Sequence, residues 1–221
     1  MQKVRNRPPA SWAAAAWSSA CFLLLTVAVA RGLLDGLDRS ILAFVRPDYE
    51  WRRGQVAWNY VVDGFQPPVA GTLLAAVTVA VCVSRRSWRP AVPVVMASAV
   101  GAGATLLVKV VLARPDPGAT GSGVGGSFPS GHTLGVALCA GLVVHLVRPA
   151  APRSPSLVAG LAGAVMGFAL VVVGAHWASD VIGGLLLGLA AVSAAAAFGT
   201  GRGRAAVDLS EGRQVHDRPV S

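Results

Sequence analysis

Two short stretches of this 221-residue chain carry groups able to do chemistry, "PSGH" at 129–132 and "GAHWASD" at 174–180. His176 and Asp180 are four residues apart, so on a helix they share a face, and the carboxylate can fix the imidazole tautomer. A histidine oriented in this way is a nucleophile. His132 is a second titratable group, suited to giving a proton to a leaving alkoxide. Ser130 can cap a helix, Gly131 lets backbone approach a ligand, and the helix that starts there aims N–H donors at an anion. Lys109 and Arg114, in "KVVLARPDP", add positive charge. The chemistry this set suggests is phosphoryl transfer. The glycine-rich loop 118–126 is not a Walker loop, because no Gly-Lys-Ser/Thr follows it. No carboxylate cluster offers a metal site, and no cofactor is expected.

The elements that must position these groups are apolar. Hydrophobic residues make up 54% of the chain and charged ones 13%, a balance that belongs to membrane proteins. Six stretches approach the roughly 20 residues a helix needs to cross a bilayer: 11–34, 68–84, 91–113, 131–147, 156–175 and 178–198. The second, bounded by Pro68 and Arg85, is short. The expected fold is all-α, a six-transmembrane-helix bundle forming one domain over 1–198, followed by a polar, disordered cytoplasmic tail at 199–221. Between the first two spans, residues 35–67 mix charge with Tyr49, Trp51, Trp58 and Tyr60, which suits short interfacial helices. Glycine pairs at four-residue spacing (131/135, 163/167, 184/188) favour close helix packing in lipid.

Lys109, Arg114, Ser130, His132, His176 and Asp180 all fall near span ends at one level of such a bundle. Ionisable groups are costly inside a membrane and face a cavity with partners, so their convergence from three helices marks a site. Each has a plainer reading alone: Lys109 could snorkel, His132 could bond a loop carbonyl, and His176 with Asp180 could be a structural pair. His145 and His216 keep such plain readings. Cys21, Cys82 and Cys139 fall in apolar spans, which argues against a disulfide framework.

With six spans, one side holds Lys3, Arg5, Arg7, Arg85, Arg86, Arg89, Arg148, Arg153, Arg202, Arg204, Arg213 and Arg218, twelve in all. The other side holds six: Arg31, Arg39, Arg46, Arg52, Arg53 and Arg114. The positive-inside rule then puts both termini in the cytoplasm and the site outside. The net charge of +9 is read as contact with membrane lipids, with no nucleic-acid partner. The first span also has features of a secretory signal, with "AVA" at 28–30 as a cleavage site; the topology of the rest is the same either way. Oligomeric state is not legible.

The motifs "PSGH" and "GAHWASD", with a lysine helix before them, resemble the type 2 phosphatidic acid phosphatase (PAP2) superfamily over about residues 35–198. The resemblance implies a six-helix membrane enzyme that dephosphorylates a lipid phosphate without metal. It implies His176 as the nucleophile forming a phosphohistidine, Asp180 orienting it, and His132 protonating the leaving group. Lys109, Ser130 and Gly131 would hold phosphate, and Arg114 is expected to bind it with them. Two positions depart from the family pattern. The first-motif arginine usually follows the lysine by seven residues, where this chain has Asp116; Arg114 follows Lys109 by five. The third motif usually begins Ser-Arg, where this chain has Ala169 and Leu170. Polyprenyl diphosphate, phosphatidylglycerol phosphate and phosphatidate are the implied substrates. The alternatives are a catalytically weakened relative that binds lipid phosphate or a partner protein, and a vanadate-dependent haloperoxidase, which six spans disfavour.

Overall fold

In lipid an isolated segment satisfies all its backbone N–H and C=O groups only as a helix. The computed structural model describes residues 10–47, 53–117, 126–148 and 154–216 and has no strand among them. Its helices are α1 (Ala10–Ala30), α2 (Asp35–Val45), α3 (Arg53–Gly64), α4 (Pro67–Ser84), α5 (Ala91–Leu112), α6 (Gly131–Val147), α7 (Ser154–Val172) and α8 (Ala178–His216). Five of these, namely α1, α4, α5, α7 and the Ala178–Phe198 part of α8, are long and apolar enough to cross a membrane. The short apolar helix is α6, at 17 residues. The stretch expected to be short, α4, reaches 18 because Pro67 joins it at the start. Proline costs nothing there, since the first helical N–H groups have no intrahelical partner.

The central element is α8. In its apolar window 67% of residues are buried, against 17% in α1 and 22% in α4 and α5, so those three helices present most of their surface outward. α8 packs against α1, α5, α6 and α7. Two glycine pairs make this possible. Gly163 and Gly167 of α7 face Leu185 and Val181 of α8, while Gly184 and Gly188 of α8 face the first turns of α6. A Cβ on Gly184 would run into the Ser130 carbonyl oxygen and come within 3.1 Å of Thr133. Only glycine lets α8 lie this close to the start of α6.

The bundle has two distinct ends. At one, Trp12 of α1 meets Phe198 of α8, ring centroids 5.0 Å apart, and Arg85 donates to the Leu146 carbonyl at 2.9 Å. The other end gathers the last turn of α5, the first turn of α6, the α7–α8 junction and α2. There α2 and α3 are fastened to the end of α7: Arg46 Nη1 donates to the Val173 carbonyl at 3.0 Å and Gln55 Nε2 to that of Val172 at 3.1 Å. Trp58 of α3 packs edge-on against Phe168, centroids 5.1 Å apart, and Tyr60 is exposed. Tyr49 and Trp51 lie outside the described residues. Beyond Phe198, α8 continues as helix through the polar segment to His216.

Candidate active site

The second of these ends collects Lys109, Arg114, Ser130, Gly131, His132, His176 and Asp180. Ser130 is the N-cap of α6, its Oγ accepting from the Thr133 N–H at 3.4 Å, which satisfies one of the four orphan donors at a helix start. The Ser130 N–H donates to the Asp180 carbonyl at 2.9 Å, tying α6 to α8. Gly131 follows as the first residue of α6, and a Cβ there would meet nothing within 4 Å. That open space is where a ligand can approach the helix dipole.

Lys109 Nζ donates to the carbonyls of Gly126 at 2.6 Å and Ser127 at 3.3 Å. It thus holds the loop that enters α6. Gly126 has φ +57, and a Cβ on it would sit 2.9 Å from both the Arg114 nitrogen and the Lys109 carbonyl oxygen. The turn therefore requires glycine on two counts, conformation and space.

The two histidines face each other. The rings of His132 and His176 are 6.4 Å apart between centroids, at an angle of 64°. A reacting group held between them comes within hydrogen-bond reach, about 3 Å, of each. His176 Nδ1 lies 3.3 Å from Asp180 Oδ2. A carboxylate at that nitrogen selects the Nδ1–H tautomer and leaves the Nε2 lone pair free to attack. The Trp177 N–H donates to the same oxygen at 3.1 Å, the third residue of α8 reaching back to the helix cap.

Arg114 stands behind Asp180. Its Nη1 donates to Asp180 Oδ1 and Ser179 Oγ, both at 2.7 Å; its Nη2 donates to Asp38 Oδ2 at 2.8 Å and Asp35 Oδ1 at 3.4 Å. The Trp177 ring covers the guanidinium, 5.5 Å from ring centroid to Cζ, and the indole N–H is anchored to the Pro115 carbonyl at 2.9 Å. Burial works against this charge, and the hydrogen bonds and charges of Asp38 and Asp180 more than offset it, raising the guanidinium above its ordinary range. A cavity of about 490 Å³ opens on the α1–α2–α5 side of this cluster, with Arg114 and Trp177 in its wall and neither His132 nor His176. Among the described residues, no three His, Cys, Asp or Glu side chains come together as a metal site.

Four of these contacts escape a reading of the sequence. Asp38, Asp35, Ser179 and Trp177 join the cluster, and the visible signal for the aspartates was their spacing of three on the first turn of α2. Ala169 and Leu170 do not join it. They are 0% and 1% exposed and pack with Val62, Met166, Val173 and Val181. His145 is buried at the opposite end, beside Leu146 and Arg85. The glycine-rich segment 118–125 and the side chain of His216 lie outside the described residues.

Comparison with known proteins identifies a family and a fold. A family model described as the PAP2 superfamily matches residues 10–204. Among solved structures, the chain is similar to the crystal structure of a transmembrane PAP2-type phosphatidylglycerolphosphate phosphatase from Bacillus subtilis, with TM-score 0.69 and 18% identity over 84% of this chain and 95% of that one. At that identity the likeness is one of fold. No curated protein matches the chain.

Proposed function

The chain belongs to the PAP2 superfamily, and from that premise we propose that it hydrolyses a lipid phosphate or diphosphate through a phosphohistidine. The observation that carries this reading is the His176–Asp180 pair with the His132 ring facing it 6.4 Å away. In the first half-reaction His176 Nε2 attacks phosphorus, the phosphorus–oxygen bond to the lipid breaks, and His132 protonates the departing oxygen. In the second, His132 takes a proton from water as the water oxygen attacks phosphorus and the nitrogen–phosphorus bond breaks. Inorganic phosphate leaves and both histidines return to their starting states. Lys109 and the start of α6, Ser130 and Gly131, stabilise the charge that builds on the phosphoryl oxygens. No step requires a metal.

The wider assignment rests on the sequence. Counting α6 as a sixth span puts both termini on one side, and the excess of basic residues there makes it cytoplasmic. An extracytoplasmic site then suits a lipid carrier of envelope synthesis such as polyprenyl diphosphate, with phosphatidylglycerol phosphate and phosphatidate as the other substrates. Assay of purified protein in detergent against these three, with chelator present, tests the reading. Release of phosphate from at least one, with acid-labile phosphate trapped on His176, is the expected result. A second reading has its own support: Leu170 is apolar and buried, and Arg114 is committed to carboxylates. It is a weakened relative that binds lipid phosphate without turnover. Lipid-phosphate binding with no release of phosphate from any substrate would favour it.

A further inference from the structure

Asp38 is 2% exposed, and a carboxylate so deeply buried is costly unless its oxygens are fully engaged. Asp38 Oδ1 accepts the Ser179 N–H at 3.0 Å, and Oδ2 accepts the Ser179 hydroxyl and Arg114 Nη2. These partners are far away in sequence, 141 residues for Ser179 and 76 for Arg114. The Ser179 N–H is an orphan donor in the first turn of α8, so α2 supplies a cap that α8 lacks locally.

The donor count of Arg114 matters equally. Each terminal guanidinium nitrogen has two N–H groups, and the four find four acceptors: Ser179 Oγ, Asp180 Oδ1, Asp38 Oδ2 and Asp35 Oδ1. A phosphate could reach those nitrogens only by displacing carboxylates, two of which are buried. Asp180 is 0% exposed and has one oxygen for Arg114 and the other for His176 and the Trp177 N–H. A continuous chain of contacts therefore runs from Asp38 through Arg114 to Asp180 and on to His176.

We propose that Asp38 and Arg114 are positioning residues for Asp180: Asp38 fixes the guanidinium and the first turn of α8, and the guanidinium fixes the carboxylate that orients His176. The inference rests on the reading of His176 as the nucleophile. It gives Arg114 a role distinct from phosphate binding, and it makes α2 part of the catalytic architecture. Lys109 and the start of α6 are left as the phosphate-facing groups.

The central variant is Asp38→Asn, which preserves size and an acceptor for the Ser179 N–H but turns an amide donor or a neutral oxygen toward Arg114. We expect kcat on a lipid phosphate to fall about 10- to 100-fold, as for other outer-shell partners of a catalytic group, with KM and inhibition by orthovanadate changed less than about twofold. The effect should vanish when Asp38→Asn is introduced into Asp180→Asn, because residues that act through one another are not additive. A merely structural loss would persist in that background and overturn the proposal. Arg114→Lys carries the same test if Asp38→Asn does not fold: an ammonium with three N–H groups on one atom cannot reproduce the four bonds of the guanidinium fork, so kcat should fall at constant KM. A rise in KM and weaker vanadate inhibition would instead put Arg114 on the phosphate. A third measurement needs no turnover. Nitrogen-15 spectra of the imidazoles should show His176 as a single Nδ1–H tautomer in the wild type and as a mixture in Asp38→Asn. An inactive wild type would overturn the hydrolase reading and leave this spectrum to decide the positioning role. An unchanged His176 signal in folded Asp38→Asn would then overturn it.

Discussion

Arg114 Nη1 meets Asp180 Oδ1 at 2.7 Å, on the carboxylate oxygen opposite the one that faces His176. The pair is nearly dry, with side-chain exposures of 10% and 0%. Burying one such ion pair is often neutral for stability or worse, since desolvation cancels the attraction. Here the ions are multiply bonded, and Asp180 also sits in the first turn of α8, where the helix dipole favours negative charge. The consequence for chemistry is that Asp180 is held in one position, which is what an orienting carboxylate must be.

Asp180→Asn tests this directly. The amide can offer an N–H to His176 Nδ1, which favours the tautomer with its proton on Nε2 and removes the attacking lone pair. Where an asparagine replaces the orienting aspartate of a histidine, kcat falls by about 10⁴ with geometry intact. A loss of about 10³- to 10⁴-fold is expected here, measured as kcat beside a melting temperature in detergent. A loss below tenfold in a folded variant would mean that His176 does not depend on Asp180.

His132 and His176 separate by leaving group. His132→Ala removes the general acid, worth about 10²- to 10⁴-fold on a lipid alkoxide. An aryl phosphate, whose leaving oxygen needs no proton, should restore formation of the phosphohistidine in a single turnover, while its hydrolysis, which needs His132 as base, stays slow with both substrates. His176→Ala should abolish turnover of both substrates and any trapped phosphohistidine. Equal defects in phosphohistidine formation on the two substrates in His132→Ala would remove it from the acid role.

Part of this site was legible in the sequence and part was not, for physical reasons. His132, His176, Asp180 and Lys109 were legible because titratable groups in apolar spans are costly, and because spacing along a helix fixes which of them share a face. The helices followed from apolar length, although α6 with 17 residues, not α4, is the short one. Asp38 was hidden because its partners are tertiary: its spacing of three from Asp35 marks an acidic first turn of α2 and does not say that the carboxylate caps α8. Leu170 was ambiguous because a span that is apolar all round does not reveal which face turns inward. Arg114 was located at the correct end, but its partners depend on α2.

Sidedness can be read from two exposed positions at opposite ends of the bundle. Asp116 is exposed beside Arg114, and Arg86 is exposed in the turn between α4 and α5. In a background free of Cys21, Cys82 and Cys139, Asp116→Cys should react with an impermeant thiol reagent on intact cells. Arg86→Cys should react only after lysis. The reverse pattern would put the site in the cytoplasm and exclude lipids presented at the outer face.

Leu170→Arg asks whether a guanidinium at this position could serve the phosphate. Leu170 is 1% exposed and enclosed by Val62, Met166, Val173 and Val181, so it sits in an apolar wall. An arginine would place a charge in that wall without a carboxylate partner, which costs several kcal/mol after relaxation, and its added length would strain the packing between α3, α7 and α8. The expected outcome is a lower melting temperature and reduced folded yield, with no gain in kcat/KM. Leu170→Met, close in volume, should cost less than about 1.5 kcal/mol and leave turnover unchanged. Together the two variants distinguish a packing position from a vacated phosphate contact. Increased kcat/KM in Leu170→Arg at an unchanged melting temperature would mean that the Val172 end of α7 reaches the substrate and that this chain turns over slowly for want of that cation.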